Sequence, residues 1–109
     1  MIKVEIIKEV DNIKQVTVDG HADFAEHGSD IVCAGVSAVV FGLINSVDVL
    51  DDDVQFDISA NEDETGHLTY RSLKSTEKEQ LLLSAMLIAL QTIEENYSEY
   101  ITIETREVN

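Results

Sequence analysis

Alternating apolar and polar residues mark five short stretches of the chain, and a period of two predicts half-buried β-strands. The stretches are residues 2–6, 13–20, 54–58, 68–70 and 101–103. A turn-like Asp11–Asn12 pair separates the first two stretches, and the polar sequence NEDETG separates the next two. Each of these two pairs of stretches therefore predicts a β-hairpin.

A continuous apolar pattern of helical character begins at Ser29 or Asp30 and reaches about Leu50. Serine and aspartate are both common N-cap residues, which supports a helix start at this point. The least polar part, residues 31–44, is shorter than the roughly 20 residues that span a bilayer, so we expect a buried helix. Three aspartates at residues 51–53 would oppose the negative end of the helix dipole, and we expect them to begin the next loop.

A second helix is predicted after residue 75, because Thr76 and Glu79 have the spacing of a capping box. One apolar stripe with alternating steps of three and four follows at Leu83, Met86, Leu90, Ile93 and Tyr97. Another apolar stripe on the same segment consists of Leu81, Ala85 and Ile88. A helix with two such stripes has more apolar surface than one sheet face covers.

The predicted order of elements is ββαββαβ. Strands that are apolar on one face need one covering layer, so both helices should lie on the same side of the sheet. We expect a single α+β domain over residues 1–109, a two-layer sandwich of a largely antiparallel sheet with two helices on one face. The surplus apolar surface predicts a homodimer formed through the helices, unless the two helices bury their extra stripes against each other.

Acidic residues outnumber basic ones about threefold. The chain of 109 residues has 22 Asp and Glu against 7 Lys and Arg, a formal charge of −15. This charge repels nucleic acid phosphates and anionic membrane surfaces, so we expect neither as a partner and consider a basic partner more compatible. Acidity also keeps many cytosolic proteins soluble, and the charge alone does not separate these two explanations.

The single cysteine, Cys33, cannot form a disulfide within the chain. The first ten residues alternate apolar and polar side chains and lack a basic stretch followed by an apolar run, so we expect no secretory leader. These two observations predict a cytoplasmic protein.

Cys33 has two interpretations. A lone cysteine among Ile, Val and Ala is commonly a small buried hydrophobe. If Ser29 or Asp30 caps the helix, however, Cys33 lies in the first turn, where free N–H groups and the positive end of the dipole favour thiolate over thiol. An activated nucleophile requires this electrostatic setting.

His21 is the candidate base, because it follows directly on the second predicted strand and the segment after it can return over the strand end. A neutral imidazole there can accept the thiol proton, and the resulting imidazolium would hold the thiolate as an ion pair. His27 lies in the polar stretch AEHGS, where a side chain has few packing contacts. We therefore assign catalysis to His21 and, at most, loop or substrate contacts to His27.

Asp30, Cys33 and Ser37 share one helical face at i, i+3 and i+7. Asp30 can orient the imidazole or only cap the helix. Ser37 can bind a backbone or substrate group, or only bond to a carbonyl of the preceding turn. Gly20 and Gly28 bracket the loop as hinges or as turn formers.

A metal site is the alternative use of the titratable residues around the cysteine, namely His21, His27, Asp30 and Cys33. Their spacing matches no established zinc pattern and supplies one thiolate, so we expect neither a metal nor a cofactor. His67, which precedes the fourth strand, is interpreted as a solvated loop residue.

The segment GHADFAEHGSDIVCAGVS, residues 20–37, resembles the signature of the ribosomal-processing cysteine protease (Prp) family. The matching features are GHA, the run GSDIVCA and a serine four residues after the cysteine. The element order, length and acidity of the whole chain are also similar to those of this family. The sequence departs from the family pattern at Gly35, where a second alanine is usual, and this bears only on local helix rigidity.

The resemblance implies a dimeric endopeptidase that removes a short N-terminal extension from a basic protein of the large ribosomal subunit during ribosome maturation. It implies that Cys33 is the nucleophile and His21 the base. It also implies cleavage after an aromatic pair and before a small residue followed by lysines. We further expect residues 22–29 to order over bound substrate and amides at the helix N-terminus to stabilise the oxyanion.

The competing interpretation is a non-enzymatic module. Such a module would bind a ribosomal protein or an assembly factor through its acidic face, and Cys33 would be inert. A cysteine endopeptidase and a binding module differ in one observable, which is whether a bound peptide is cleaved.

Overall fold

Five strands and two helices follow one another in the predicted order ββαββαβ. The structure is a computed structural model that describes residues 1–20, 29–60 and 67–108, with Ser29 and Asp30 described through their backbone. The strands are β1 (Ile2–Glu9), β2 (Asn12–Asp19), β3 (Gln55–Ala60), β4 (Leu68–Lys74) and β5 (Ile101–Val108), and the helices are α1 (Ser29–Leu50) and α2 (Glu77–Asn96). The bounds of α1 confirm the predicted ones, and the predicted connection NEDETG, residues 61–66, lies outside the described residues.

All five strands form one sheet in the order β3-β4-β2-β1-β5. Every neighbouring pair is antiparallel except β1 and β5, which run parallel from Ile2 opposite Ile101 to Glu9 opposite Val108. The sheet is therefore largely antiparallel, as predicted.

The strand directions define an upper and a lower end of the sheet. Strands β1, β4 and β5 begin at the upper end, and β2 and β3 finish there. Helix α1 leads into β3, which starts at the lower end, so α1 itself begins at the upper end. Helix α2 runs in the opposite direction, from the end of β4 to the start of β5. The first turn of α1 and the last residues of β2 therefore share the upper end.

Both helices share one hydrophobic core with the sheet, which confirms the two-layer prediction. The sheet contributes Ile2, Val4, Ile6, Ile13, Val16, Leu68, Tyr70 and Ile101. The helices contribute Val32, Val36, Val40 and Ile44 from α1 and Leu83, Met86 and Leu90 from α2. The first three members of the stripe predicted on α2 are therefore buried.

Helix α1 lies beside α2 on the covered face of the sheet. Helix α2 contacts β2 and β5, and a Cβ built on Gly35 of α1 would stand 3.7 Å from Cδ1 of Ile93 on α2. Helix α1 therefore lies on the other side of α2, over the half of the sheet that contains β4 and β3.

Helix α1 is not buried all round, contrary to the expectation from its composition. Ile31 is 58 % exposed, Phe41 53 % and Val49 74 %. The segment Ile31–Leu50 has a mean hydropathy of 1.8, so its length and composition would suffice to cross a membrane, and 28 % of it is buried. These side chains are exposed because a helix packed on a sheet buries one stripe of its circumference and leaves the rest uncovered.

The β1–β2 hairpin turns at Val10 and Asp11, so the prediction of a turn at Asp11–Asn12 was wrong. Asn12 belongs to β2 and pairs with Glu9. Both turn residues have positive φ, 47° at Val10 and 66° at Asp11. A two-residue loop with positive φ at both positions matches the twist of the strands, and this requirement overrides the turn preference of asparagine.

Thr76 caps α2 as predicted, with its Oγ1 accepting the N–H of Glu79 at 3.1 Å. The Glu79 side chain, however, turns into the interior rather than back to the cap. It is fully buried and accepts hydrogen bonds from the Tyr70 hydroxyl at 2.5 Å and the Ser72 hydroxyl at 2.8 Å. Burial, together with the bond to Glu79, raises the pKa of Tyr70. The capping-box prediction is thus right for the threonine and wrong for the glutamate.

The C-terminal end of α1 joins these groups through Asp51. Its carboxylate accepts the Thr76 hydroxyl and, at 3.1 Å, the N–H of Asp53. The bond from Thr76 lowers the pKa of Asp51, against the opposing effect of burial. We refer to Asp51, Thr76, Glu79, Tyr70 and Ser72 together as the lower polar network.

Candidate active site

Cys33 lies near the start of α1 at the upper end of the sheet. The helix begins at Ser29, so Cys33 is one turn into the helix rather than within its first turn as predicted. Its side chain is half-buried and packs against the hydrophobic core. Cys33 is therefore packed against the core and still partly exposed to solvent.

The backbone before Cys33 supplies N–H donors that have no partner within α1. The first four N–H groups of a helix, here those of residues 29–32, have no carbonyl partner within the helix. Side chains on a helix tilt toward its N-terminus, so the sulfur of Cys33 overlies the turn that carries these groups. The positive end of the helix dipole adds to their effect and stabilises a negative charge there. This setting can support an oxyanion beside the sulfur.

Gly20 follows directly on β2 at the same upper end. Its φ is +92°, a conformation that L side chains rarely adopt, and a Cβ built on it would collide with the carbonyl oxygen of Met1. Only glycine fits this position without backbone movement. The prediction of Gly20 as a turn former agrees with this geometry, and His21 is covalently attached to it.

Several predicted site residues fall outside the described residues. His21, His27 and Gly28 belong to residues 21–28, as does most of the loop expected to order over substrate. Asp30 lies in the first turn of α1, and its side chain is also outside the described part. Their roles stay predictions.

Cys33 and Ser37 are brought together by the continuous helix, one turn apart. Ser37 is exposed, whereas Cys33 is half-buried. The face predicted to carry Asp30, Cys33 and Ser37 therefore borders solvent along its length from Cys33 onward. A bound chain can reach both side chains from the same side.

His67 has a defined partner, which the sequence analysis missed. Its Nδ1 lies 3.3 Å from Oδ1 of Asp19, next to Gly20 at the upper end. The two residues meet because Val18 pairs with Leu68 across β2 and β4. To predict this contact from the sequence, one would have had to predict that β2 pairs with β4, two strands that are far apart in the sequence.

Metal ligation has no candidate among residues 1–20, 29–60 and 67–108, where no three His, Cys, Asp or Glu side chains come close enough to hold an ion. Of the residues weighed as ligands, His21 and His27 lie outside this part of the chain. Among the described residues, the upper end offers one partly exposed cysteine beside N–H groups that have no partner within α1.

Sequence comparison extends this picture. The sequence model of a protease family, described as cysteine protease Prp, matches residues 1–102. The ribosomal processing cysteine protease Prp of Staphylococcus aureus is 44 % identical over 108 residues, covering 94 % of this chain and 97 % of its own. The protein of the same name from Bacillus subtilis is 40 % identical over 112 residues, covering 96 % and 97 % of the two chains.

A solved structure agrees with the sequence comparison. The ribosomal processing protease Prp of S. aureus in complex with a substrate peptide superposes with a TM-score of 0.88 at 41 % identity, covering 97 % of this chain and 100 % of that chain. The chain thus has the fold of a protease captured with its substrate peptide, and it has a half-exposed cysteine at a helix start. Since the family match extends over almost the whole chain and the relatives are 40 % and 44 % identical, this chain belongs to the Prp family of cysteine proteases.

Proposed function

We propose that this chain is the endopeptidase that removes an N-terminal extension from a protein of the large ribosomal subunit. The observation that carries the proposal is the position of Cys33, a partly exposed cysteine one turn into α1, beside N–H groups that have no partner within the helix. The names of the S. aureus and B. subtilis relatives, both ribosomal processing cysteine proteases, support the substrate class.

In the proposed reaction the Cys33 thiolate attacks the scissile carbonyl carbon, and the carbonyl electron pair moves to the oxygen. The unpaired amides at the start of α1 stabilise this oxyanion. His21 first takes the thiol proton and then gives it to the leaving amine, so the amide C–N bond breaks and an acyl thioester remains. Water, with His21 as base, hydrolyses the thioester and restores the thiol.

The neighbouring residues have supporting roles in this proposal. Asp30 orients the imidazole of His21, and Ser37 donates a hydrogen bond to the substrate backbone. Residues 22–29 close over the bound peptide, with Gly20 and Gly28 as hinges. Gly20 has the positive φ that such a bend requires.

The charge of the chain suits the proposed substrate. Ribosomal proteins are basic because they bind phosphate, and a charge of −15 attracts a lysine-bearing segment from a distance. A free half-exposed thiol also persists in a reducing compartment. Both observations support action in the cytoplasm on a basic protein.

We also infer a homodimer formed through the helices. Leu81 is 71 % exposed and Ile88 63 %, with exposed Ala85 between them on the outer face of α2. Ile31, Ala34 and Ala38 form a second exposed apolar stripe on α1. The helices thus do not bury these stripes against each other, and a second copy with the same stripes is complementary to them.

Sedimentation equilibrium tests the dimer. The wild type should show about twice the chain mass of 12.1 kDa at micromolar concentration. Ile88→Glu should shift it to the monomer, because a charge would be buried in the interface. Leu73→Glu is the matched control, since Leu73 is 58 % exposed on β4, away from the helices. A wild-type protein that is monomeric at all concentrations would contradict the proposed dimer.

Mass spectrometry after incubation with a peptide tests the main proposal. The peptide carries an aromatic pair, a small residue and then lysines, and we expect one cut after the aromatic pair. Cys33→Ser should bind the peptide without cutting it. Tight binding with no cleavage by the wild type would instead support the non-enzymatic acidic module.

A further inference from the structure

The end of β2 is supported differently on its two sides. On the side of β1 the backbone pairing continues to Asp19. On the side of β4, in the part of the chain that the structure describes, it ends one residue earlier, with Val18 opposite Leu68. The backbone ladder between β2 and β4 therefore stops short of Gly20, the residue that connects β2 to His21.

A pair of side chains continues the junction of β2 and β4 beyond that point. Nδ1 of His67 lies 3.3 Å from Oδ1 of Asp19. An ionised carboxylate only accepts hydrogen bonds, so the imidazole donates from Nδ1. The contact joins the last residue of β2 to the residue that precedes β4, one step past the last backbone pair. We refer to His67 and Asp19 together as the strand-end pair.

The strand-end pair lies on the face of the sheet that the helices leave open. Val18 packs against the core, so the next side chain along β2, that of Asp19, points to the other face. There Asp19 lines a cavity together with Lys3 and Thr17. Helix α1, which carries Cys33, covers the opposite face. The sheet therefore separates the pair from a scissile bond held at the thiol, and any effect of the pair on catalysis must pass through the backbone of β2.

The other flank of the strand end is held by backbone contacts. A Cβ built on Gly20 would collide with the carbonyl oxygen of Met1, so the two backbones touch. The next residue, Ile2, donates its N–H to the carbonyl of Tyr100 at 2.8 Å. The end of β2 is thus supported by the start of β1 on one side and by the strand-end pair on the other. Such support matters for a general base, because a misplacement of about 1 Å can cost about 100-fold in rate.

We propose that the strand-end pair positions the end of β2, and through it the imidazole of His21, for proton transfer with Cys33. His67 is then a positioning residue, because it acts through Asp19 and Gly20 and touches neither the thiol nor the substrate. Its loss removes one of the two supports and lowers the fraction of molecules whose base is correctly placed. Because both side chains are partly exposed, we expect this fraction to fall only a few-fold. This inference rests on the proposed endopeptidase function and adds a residue that supports its base.

Steady-state cleavage of one peptide by matched variants tests this role. His67→Ala should lower kcat about 3- to 5-fold with KM unchanged within about twofold, because the peptide still binds while fewer molecules hold the base in place. His67→Asn should restore most of kcat, since its amide nitrogen stands where Nδ1 of histidine does and can donate to Asp19. Arg71→Ala is the matched control. It removes a similar exposed contact between the same two strands, from Nε of Arg71 to Oε1 of Gln15 at 3.4 Å, and should leave kcat unchanged.

Alkylation of Cys33 by iodoacetamide separates positioning from damage to the fold. Near pH 7 formation of the thiolate depends on His21, so alkylation of His67→Ala should be slower than that of the wild type by about the same factor as kcat. At about pH 9.5, above the pKa of about 8.5 of a free thiol, the two rates should agree. Rates that differ equally at both pH values would show a change of fold or access and would overturn the positioning role.

A double-mutant cycle tests whether the two residues act as one unit. His67→Ala should lower kcat in the wild type but not in Asp19→Ala, where the contact is already lost. This comparison also removes any effect of the Asp19 charge itself. A loss of kcat in both backgrounds, an effect that lies in KM, or a kcat of His67→Ala equal to that of Arg71→Ala would overturn the inference and leave the protease function standing. Absence of wild-type cleavage would overturn both.

Discussion

The two ends of helix α1 use polar groups in opposite ways. At its C-terminal end Asp51 accepts the Thr76 hydroxyl and the Asp53 N–H, in a network that continues to buried Glu79. At its N-terminal end the backbone N–H groups are unpaired within the helix, and Cys33 beside them is half-exposed. The polar groups at the C-terminal end are hydrogen-bonded to one another, whereas the N–H groups at the N-terminal end have no partner within the helix.

This difference separates stability from reactivity along a single helix. A buried, fully bonded network is costly to disturb and fixes the packing around it. An active site needs hydrogen-bond donors without a permanent partner, because they must bind a negative charge that exists only during the reaction. Cys33 and Asp51 are about 27 Å apart along the helix axis at 1.5 Å per residue, so changes at one should be nearly independent of the other.

The largest effect should come from replacing His21, the predicted general base. His21→Ala should lower kcat at least about 100-fold, because the general base and acid is lost. It should also slow iodoacetamide alkylation of Cys33 near neutral pH, because the ion pair is gone. His27→Ala should mainly alter KM. Steady-state kinetics decides between them: equal losses of kcat would defeat the assignment to His21, and a larger loss in His27→Ala would reverse it.

Gly20→Ala should affect both activity and stability. The added Cβ would meet the carbonyl of Met1, and the φ of +92° is strained for alanine, so the start of the His21 segment must move. We expect a loss of about 1–3 kcal/mol in the free energy of unfolding, and a fall in kcat. Urea unfolding and peptide cleavage measure the two effects. Gly42→Ala is the control, since a Cβ there meets nothing within 4 Å; equal behaviour of the two variants would contradict the prediction.

Glu79→Gln should weaken the lower polar network without changing catalysis. The amide replaces a carboxylate that accepts two hydroxyl groups, so charge-assisted bonds are lost in a fully buried site. The free energy of unfolding should fall by about 1–3 kcal/mol, with kcat and KM unchanged. Glu77→Gln, exposed in the same first turn, should cost no more than about 0.5 kcal/mol. A change in kcat for Glu79→Gln would show that the two ends are coupled.

The pH dependence of stability should identify Asp51. Its folded pKa is lowered, chiefly by the Thr76 hydroxyl, so its contribution is present above the unfolded pKa of about 3.9 and is lost as pH falls through the folded pKa. Asp51→Asn should therefore be less stable than the wild type at pH 7, and the two should converge in acid. Urea midpoints from pH 7 to pH 3 measure this, with exposed Asp53→Asn as the control. If the stability difference between Asp51→Asn and the wild type stayed constant with pH, it would not come from the ionised Asp51 carboxylate.

The smallest effect should be a gain at the hairpin tip. Val10 adopts φ 47°, which disfavours a β-branched residue, and its side chain is 82 % exposed, so little packing compensates. Val10→Asn should raise the free energy of unfolding by about 1 kcal/mol, because asparagine tolerates the left-handed region. Val10→Ala, which lacks this tolerance, should gain less. Thermal unfolding is the measurement, and a loss of stability in Val10→Asn would show that the valine makes a contact of its own.

The parts of the fold that depend on local pattern were predictable from the sequence. The five alternating stretches and the bounds of α1 follow from the periods of apolar residues, which are fixed within each element. The turn at Val10 and Asp11 was not, because it depends on the pairing of Glu9 with Asn12. The Glu79 side chain likewise found partners on β4, a contact between distant elements that no local pattern contains.

For the candidate site the same distinction holds. The place of Cys33 near a helix start and of Gly20 at a strand end followed from element order. The contact of His67 with Asp19 required the register of β2 against β4. The imidazole of His21 and the carboxylate of Asp30 lie outside the described residues, so their part in the site stays a prediction.

The parallel pairing of β1 with β5 has a consequence for how the chain folds. These strands pair over eight positions, from Ile2 opposite Ile101 to Glu9 opposite Val108. Almost the whole chain lies between the two strands, and its ends must meet before any hydrogen bond of this pair can form. The entropy cost of closing so long a loop slows folding. Until β5 arrives, β1 presents an unpaired flank to any extended chain nearby. We therefore expect folding in milliseconds or longer, with docking of β5 as the late step, and a folding intermediate whose exposed sheet flank lies along β1.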